Sequence, residues 1–510
     1  MEGSPPARLE VARDGLRAHL RVLVRPGSGL SQRVAYAGFW ALALRGTLHG
    51  FSTGRTVVLA RLLAPGDFGL MGLALLVLGL LETFTQTGFR AALIQRQGDI
   101  RPYLDTAWTV EALRGLALAG ALVLAAPLVA SFFAAPEAVP IVRVMAVVAL
   151  LGGLRNIGVV AFDRELEFRK RFLYQMVRAV AEVGVGIGMA LALRSAWALV
   201  YGALAGVAAE VAASYLLHPY RPRPRLAWGR VGELYRFGRW VLLSNGLFFL
   251  ASRGDSAAIG KVLGPVALGV YEMGRRIAEL TTREVSTVVS AVTFPAYARV
   301  QDDVVRLRRA YFLTVEAVSC VTFPVAAVLL VLAGPLTRVV LGESWLAVAS
   351  VLPALVAAGS VRALAATGGA LYAGTGQPRL DFQMSLVRTA LMLALILPLM
   401  RLLGVAGAAL AVLVGALTTL PFYVGYSTRV LRVTPLHLGR ALLPATALSG
   451  AAALGALLGR VGPAHPGVAE LLVAVGLAGG GYALAALLLW RVLGAGPVRV
   501  LTLGRPRSRA

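Results

Sequence analysis

Apolar segments, each long enough to cross the roughly 30 Å hydrocarbon core of a bilayer as an α-helix, recur along nearly the whole chain. A hydrophobic content of 58% and a mean hydropathy of +0.74 exclude a soluble globular protein. The connecting loops are short and leave no room for a folded domain outside the membrane. We therefore predict an all-α integral membrane protein with fourteen spans. They lie at residues 37–59, 68–89, 106–129, 138–161, 173–193, 197–217, 238–260, 267–294, 311–333, 347–371, 381–400, 405–427, 441–459 and 468–490.

Two segments 200 residues apart resemble each other. Residues 63–71 (LAPGDFGLM) and 263–271 (LGPVALGVY) share proline and glycine in register, and Arg61 before the first copy is matched by Lys261 before the second. A turn repeated at half-chain distance indicates a duplicated membrane domain. Both copies fall on the same predicted side of the membrane, so spans 1–6 and 7–12 form two parallel six-helix repeats. Proteins built in this way are most often transporters with the working site between the repeats.

The net charge of +25 would favour a nucleic-acid partner in a soluble protein, but here its placement indicates membrane topology. The two termini and the loops after even-numbered spans hold 32 basic residues, whereas the alternate loops hold six. Loops rich in lysine and arginine remain in the cytoplasm. The asymmetry therefore predicts an even number of spans, cytoplasmic termini and no nucleic-acid partner.

These patterns divide the chain into six parts. Residues 1–36 are a basic cytoplasmic segment, in which 9–24 form either an amphipathic helix on the inner leaflet or a disordered tail. The remaining parts are an N-terminal lobe (37–217), a cytoplasmic linker (218–237), a C-terminal lobe (238–430), an extra hairpin of spans 13 and 14 that faces lipid (431–492) and a basic cytoplasmic tail (493–510). The only cysteine, Cys320, lies in a span, which excludes a disulfide framework and a thiolate metal site. No phosphate-binding loop motif is present, and we expect no cofactor or metal.

Charged residues inside the spans are predominantly basic. Twelve arginines lie there: Arg45, Arg55, Arg114, Arg143, Arg155, Arg178, Arg253, Arg275, Arg276, Arg283, Arg362 and Arg388. Nine acids accompany them: Glu82, Glu111, Glu182, Glu210, Asp255, Glu272, Glu279, Glu284 and Glu316. An arginine that faces lipid costs roughly 2.5–3.5 kcal/mol near the bilayer centre. Since complete pairing still leaves three arginines over, we expect a positively charged interior that receives an anionic ligand.

The polar residues concentrate in spans 1, 2, 7 and 8, which correspond between the repeats and predict a shared cavity. The candidate substrate-binding residues are Arg45, Arg55, Arg253, Arg275, Arg276 and Arg283. The candidates for coupling or gating are His49, Glu82, Asp255, Glu272 and Glu279. Structural roles remain open for several of them. The charges of span 8 also suit a self-neutralising ladder of Glu272 with Arg276 and Glu279 with Arg283. Asp255 suits a salt bridge with Arg253, and His49 or Glu82 suits a hydrogen bond between helices.

Five segments between residues 35 and 430 resemble patterns of the polysaccharide transport family, within the multidrug/oligosaccharidyl-lipid/polysaccharide exporter superfamily. They are the first outer turn (61–69, RLLAPGDFG), the loop between spans 4 and 5 (162–170, FDRELEFRK), the start of span 6 (197–200, WALV), the start of span 8 (269–276, GVYEMGRR) and the loop between spans 8 and 9 (294–303, FPAYARVQDD). The chain is most similar to the colanic-acid and lipopolysaccharide type of flippase. Because these segments are turns and loops, no binding residue transfers from the family.

The resemblance implies a V-shaped, two-lobed fold shared with the multidrug exporters of that superfamily. It implies a flippase, not an enzyme, in the bacterial inner (cell) membrane. The implied activity is alternating-access movement of undecaprenyl-pyrophosphate-linked repeat units from the inner to the outer leaflet, for exopolysaccharide or lipopolysaccharide biosynthesis. The implied partners are the bilayer, this glycolipid and a polysaccharide polymerase or export complex.

Two other functions remain open. A multidrug or cation antiporter of the same fold would need an acidic or aromatic pocket, whereas this interior is net basic. A membrane glycan polymerase or ligase would need paired acids or histidine on the outer face, and the outer loops contain few carboxylates.

Overall fold

The computed structural model describes residues 30–165, 167–461 and 467–493, and this part of the chain is helical, without strands. Most of the predicted basic segment at 1–36 and nearly all of the tail at 493–510 lie outside the described residues. The helices are α1 (Leu30–Leu62), α2 (Pro65–Thr85), α3 (Phe89–Gln95), α4 (Arg101–Phe133), α5 (Ala138–Gly153), α6 (Val160–Arg164), α7 (Phe168–Leu193), α8 (Trp197–Leu217), α9 (Trp228–Arg299), α10 (Val304–Val331), α11 (Ala333–Leu336), α12 (Val348–Gly374), α13 (Pro378–Leu403), α14 (Val405–Leu417), α15 (Leu420–Leu431), α16 (Pro435–Val461) and α17 (Val468–Leu493).

Among the described residues, ten helical segments have the length and hydropathy of a membrane span. The number is eleven if the bent pair Ala138–Gly153 and Ile157–Arg164, which meet at 66°, forms one span. The predicted spans 1, 7 and 8 fall within α1 and α9. A helix therefore lies at every predicted position, and the count of fourteen spans remains a prediction.

The long helix α9 is broken at Gly264, whose backbone has φ 79° and ψ −177°. Only glycine adopts such a conformation readily, which explains why span 7 ends and span 8 begins there. The first copy of the turn has Ala64 at the position of Gly264, and its backbone φ is not positive. There the N–H of Ala64 donates to the carboxylate of Asp67 at 2.9 Å, and the second copy has Ala267 in place of that aspartate.

The described residues fall into two compact units. The first unit contains the residues up to Leu63 together with Val77–Ser131 and Pro136–Phe248. The second unit contains Ala64–Leu76, Phe132–Ala135 and the residues from Phe249 onward. The first copy of the repeated turn therefore belongs to the same unit as the second copy. The predicted lobe boundaries, 37–217 and 238–430, remain predictions.

Glycines let the helices of the first unit approach closely. A Cβ on Gly202 would lie 3.0 Å from the Cα of Gly186, and a Cβ on Gly115 would lie 2.9 Å from the Cα of Gly153. Helices α7 and α8, and likewise α4 and α5, thus pack through small residues, as helices in lipid commonly do.

In the second unit, the C-terminal hairpin of α16 and α17 is packed backbone to backbone. A Cβ on Gly459 would lie 2.3 Å from the Cα of Ala474. The hairpin packs on α10 around a buried cluster that includes Cys320 and Leu448. Its outward side carries leucines such as Leu472, which is 67% exposed. This surface suits the lipid-facing role that we predicted for spans 13 and 14.

Candidate functional site

The two copies of the repeated turn pack against each other in the second unit. A Cβ on Gly69 would lie 1.7 Å from the carbonyl oxygen of Pro265, and a Cβ on Gly269 would lie 1.9 Å from that of Pro65. The contact is reciprocal, as expected where two equivalent segments meet about a local twofold axis. It joins the starts of spans 2 and 8 and thereby positions the charged first half of span 8.

A cavity of about 100 Å³ lies within the second unit. Its walls come from the predicted spans 7, 8, 10, 11 and 12. Five charged residues line it: Asp255, Arg275, Glu279, Arg362 and Arg388. Three guanidinium groups thus face two carboxylates, and the lining carries a net charge of +1.

Arg275 is the centre of an ionic chain at this cavity. Its guanidinium donates to Glu272 at 2.5 Å and to Glu279 at 3.2 Å, the neighbours one turn before and one turn after it in the helix. Glu272 also lies 3.6 Å from Arg253 of span 7 and accepts a hydrogen bond from the hydroxyl of Ser256 at 2.7 Å. Span 8 therefore contains a charge ladder, in which Arg275 bridges Glu272 and Glu279. Glu272 pairs with Arg275 rather than with Arg276, the partner that the predicted ladder gave it.

Asp255 is buried and held by hydrogen bonds. The Tyr271 hydroxyl donates to its carboxylate at 2.5 Å and the N–H of Ser256 donates at 2.7 Å. Arg253 pairs with Glu272 instead, so the predicted salt bridge between Arg253 and Asp255 is wrong. Asp255 lines the cavity one helical turn after Ala251 and Ser252, which also line it.

Arg362 and Arg388 differ from the other charged residues of the cavity. Neither forms an ion pair or a hydrogen bond with any residue that the structure describes. The like charges of Arg362 and Arg388, which line the same cavity, repel each other, whereas Asp381 attracts Arg388. Asp381 in turn accepts a hydrogen bond from Tyr423 at 2.9 Å. The cavity thus contains two like charges with no direct counter-ion.

The sequence analysis counted Arg362 and Arg388 among the span arginines but did not select them as site residues. A local signal was present. Residues 347–371 contain Arg362 and no carboxylate, and residues 381–400 contain only Asp381 at their edge. An arginine in a span without an acid has no partner on its own helix, which marks it as a candidate for ligand binding.

The first unit has an ionic chain of its own. Glu210 is buried and accepts hydrogen bonds from Arg155 at 3.1 Å and from Arg178 at 2.9 Å. Arg178 also lies 3.9 Å from Glu182, which forms an ion pair with Arg55. Three arginines therefore share two glutamates. Arg55, a predicted substrate-binding residue, is held by a carboxylate.

The other predicted residues are placed as follows. His49, Glu82 and Arg276 are exposed. The side chains of Arg45 and Arg283 lie outside the described residues, and so does the predicted pair of Glu279 with Arg283. The structure brings together Arg253, Asp255, Glu272, Arg275 and Glu279. The substrate, coupling and gating roles of all these residues remain predictions, as does a cavity shared by spans 1, 2, 7 and 8.

The linker after α8 is hydrogen-bonded to helix α4 within the first unit. The N–H of Arg223 donates to Asp105 at 3.0 Å, and the Tyr220 hydroxyl donates to the same carboxylate. At the start of the linker, burial and then the charge of Lys170 lower the pKa of His218. This histidine is therefore held in its neutral form more firmly than an exposed one.

A family model described as "Polysaccharide biosynthesis protein" matches residues 58–350, which is more than half of the chain. The chain belongs to this family. One similar protein is the lipopolysaccharide biosynthesis protein WzxC of Escherichia coli (strain K12), 23% identical over 390 residues that cover 75% of this chain and 78% of WzxC. Another is the succinoglycan biosynthesis transport protein ExoT of Rhizobium meliloti (strain 1021), 26% identical over 353 residues that cover 68% of this chain and 71% of ExoT.

Two solved structures share the fold of this polysaccharide biosynthesis protein. The lipid II flippase MurJ in its inward closed conformation matches with a TM-score of 0.72 and 12% identity, covering 89% of this chain and 99% of MurJ. An inward-facing multidrug transporter of the MATE family matches with a TM-score of 0.57 and 16% identity, covering 75% and 95%. These matches confirm the predicted exporter-superfamily fold. Together with the family and the ten apolar helical segments of the described residues, they identify the chain as a multi-pass membrane protein of polysaccharide biosynthesis.

Proposed function

We propose that this polysaccharide biosynthesis protein is a flippase that moves undecaprenyl-pyrophosphate-linked oligosaccharide repeat units from the inner to the outer leaflet by alternating access. Its family and its similarity to proteins of lipopolysaccharide and succinoglycan biosynthesis support this proposal. The observation that carries it is the excess of arginine over carboxylate in the ionic chain of the first unit and in the cavity lining. Guanidinium groups bind phosphate oxygens by paired, charge-assisted hydrogen bonds. The same excess would repel a cationic drug.

We propose that the ion-paired arginines bind the diphosphate by exchanging a carboxylate partner for a phosphate. Arg275 offers a donor for this exchange, because its Nε is buried and has no hydrogen-bond partner among the described residues. Arg253 is 43% exposed at its side chain and lies on the opposite side of Glu272. A phosphate at Arg275 would leave Glu272 with Arg253 and Ser256, so the displaced carboxylate keeps two partners.

Export measurements with single variants test this proposal. The variants are Arg275→Gln, Arg276→Gln and Arg45→Gln, and the matched control is Arg401→Gln, an exposed arginine at the end of α13. In a strain that depends on this protein, we expect the first three to abolish surface polysaccharide while membrane insertion stays normal. The control should export as the parent does. Export retained in all three variants would disprove the site, and mass spectrometry of the co-purified lipid would test the cargo itself.

We further propose that all fourteen spans cross the inner membrane and that both termini are cytoplasmic. The distribution of basic residues between the loops supports this orientation. A polysaccharide polymerase or export complex would then receive the cargo in the outer leaflet. Reporter fusions after Arg61 and after Lys261 should report the outer side, and fusions after Arg225 the cytoplasm. A cytoplasmic signal at either outer position would contradict the topology.

A further inference from the structure

We infer that the cavity of the second unit contains a binding site for a phosphate-type oxyanion, formed by Arg362 and Arg388. This site goes beyond the proposed function, because it does not depend on which glycolipid the protein transports. The anion could be free in solution or could be the phosphate of a lipid. The two sources share the same chemistry and are separated by experiment below.

The charge balance around the cavity points to an anion. Arg253 and Arg275 form ion pairs with Glu272 and Glu279, and a third carboxylate, that of Asp255, accepts hydrogen bonds from Tyr271 and Ser256. By themselves these five groups carry a net charge of −1. Arg362 and Arg388 reverse the sign of the cavity to +1, and neither forms an ion pair with a described carboxylate. Asp381, outside the cavity lining, attracts Arg388 without an ion pair and accepts a hydrogen bond from Tyr423. Two unpaired guanidinium groups that repel each other are stabilised by an anion between them.

The hydroxyl groups that line the cavity already donate hydrogen bonds within the protein, so they do not offer their protons to a ligand. Thr389 donates to the carbonyl of Ser385 at 2.8 Å, and Tyr271 donates to the carboxylate of Asp255 at 2.5 Å. Both hydroxyl protons are thus engaged within the protein. Ser252 likewise donates to the carbonyl of Phe249 at 3.2 Å. The N–H groups of Arg362 and Arg388, together with the Nε of Arg275, are the donors that remain for a ligand among the described residues. A guanidinium presents its N–H groups as a planar fork that matches two oxygens of a phosphate.

The size of the cavity limits the ligand. A volume of about 100 Å³ corresponds to roughly three water molecules of the liquid. A space of this size suits one tetrahedral oxyanion better than a whole sugar diphosphate. A lipid-borne phosphate would have to enter with its sugar outside.

Thermal unfolding of the purified full-length protein in an uncharged detergent tests the site. Sodium phosphate is titrated against sodium chloride at constant ionic strength. An anion that binds only the folded protein raises the melting temperature with the logarithm of its concentration. We expect this rise in the parent protein and in the Arg401→Gln control. In Arg362→Gln and Arg388→Gln we expect the apparent phosphate affinity to fall at least about ten-fold.

The variants also make a prediction without phosphate. Because each removes one of two repelling charges, they should melt no lower than Arg401→Gln in chloride. A clear fall of both variants below that control would mean that these arginines hold the fold together, and it would overturn the site. The Arg388→Lys variant keeps the charge without the planar fork and should retain only part of the phosphate effect.

The source of the anion follows from a second titration, with undecaprenyl diphosphate in the same detergent. Stabilisation by inorganic phosphate that depends on both arginines indicates a free oxyanion. Stabilisation by the lipid alone, with the same dependence, indicates a lipid phosphate. If neither ligand stabilises the protein, or if the effect is equal in the parent and both variants, no such site exists. Since the phosphate titration uses no glycolipid, a failure of the flippase proposal would leave its result unchanged.

Discussion

Replacing Gly69 or Gly269 with alanine should force apart the two repeated turns and destabilise the second unit. The new Cβ would lie 1.7 Å from the oxygen of Pro265 or 1.9 Å from that of Pro65, whereas real Cβ contacts are essentially never below 3.0 Å. The turns would therefore separate by more than about 1 Å, since neither backbone oxygen can rotate away as a side chain does. Overpacking typically costs about 1–3 kcal/mol, and a shift of two backbones places each variant near about 3 kcal/mol.

The double variant tests the reciprocity of the contact. Both substitutions open the same gap, so the second one adds little once the first has separated the turns. We expect the double variant to be less destabilised than the two single variants together, with a coupling of at least about 1 kcal/mol. Additive effects would mean that Gly69 and Gly269 sit in independent environments.

The assay is thermal unfolding of the detergent-purified protein, followed as the fraction that stays monodisperse after heating. The control is Gly184→Ala in α7, where a new Cβ would have no atom within 4 Å. We expect the control to melt as the parent does, and Gly69→Ala and Gly269→Ala to melt about 5 °C lower or more. Equal melting temperatures for Gly69→Ala and Gly184→Ala would refute the packing argument.

Two further predictions concern charge. Glu210→Gln leaves Arg155 and Arg178 without their shared carboxylate and should cost about 2–3 kcal/mol in thermal unfolding, less than a fully buried pair because both arginines are partly exposed. Glu167→Gln breaks the exposed pair of Glu167 with Lys170 and should cost less than about 1 kcal/mol. If the two variants lost the same free energy of unfolding, the argument from burial would be contradicted. The pKa of His218 lies below its ordinary 6.5, so only the unfolded chain gains this proton as the pH first falls below 6.5. Thermal stability should then decrease, and His218→Gln should flatten that pH dependence.

The positions of the helices could be predicted from the sequence because the bilayer imposes a single length and composition on every span. The sequence also located the repeated turn, but not the close approach of Gly69 to Pro265, where a Cβ would lie 1.7 Å from the carbonyl oxygen. That approach depends on where two distant segments meet. Ion-pair partners were harder to predict. Arg275 and Arg276 are neighbours in sequence, and both lie within one turn of Glu272. The rotation of α9 about its axis decides between them, and that rotation is set by packing that no single helix encodes.

Arg362 and Arg388 were missed for a different physical reason. Counting arginines against acids over all spans establishes that some arginines lack partners, but it does not say which ones. Pairing is decided locally, because the interaction of two charges falls off with distance and is screened by intervening polar groups. The concentration of charge in span 8 drew the prediction to Arg275, yet that concentration is what supplies Arg275 with two carboxylates. A span without acids does not by itself identify an unpaired arginine, because Arg55 and Arg155 lie in such spans and pair with glutamates of other helices.

Pairing also determines how an arginine can serve an anionic ligand. A phosphate that binds Arg275 has to displace Glu272 or Glu279, and the displaced carboxylate must find other partners. A phosphate that binds Arg388 displaces no carboxylate and relieves its repulsion by Arg362. The paired arginine is therefore suited to transient binding of a cargo that must be released, and the unpaired arginines to tighter retention of a small anion. Neutralising Arg275 should accordingly lower the stability of the protein without ligand more than neutralising Arg388, and it should lower phosphate affinity less. If both variants lose stability and affinity in the same proportion, this separation of roles is wrong.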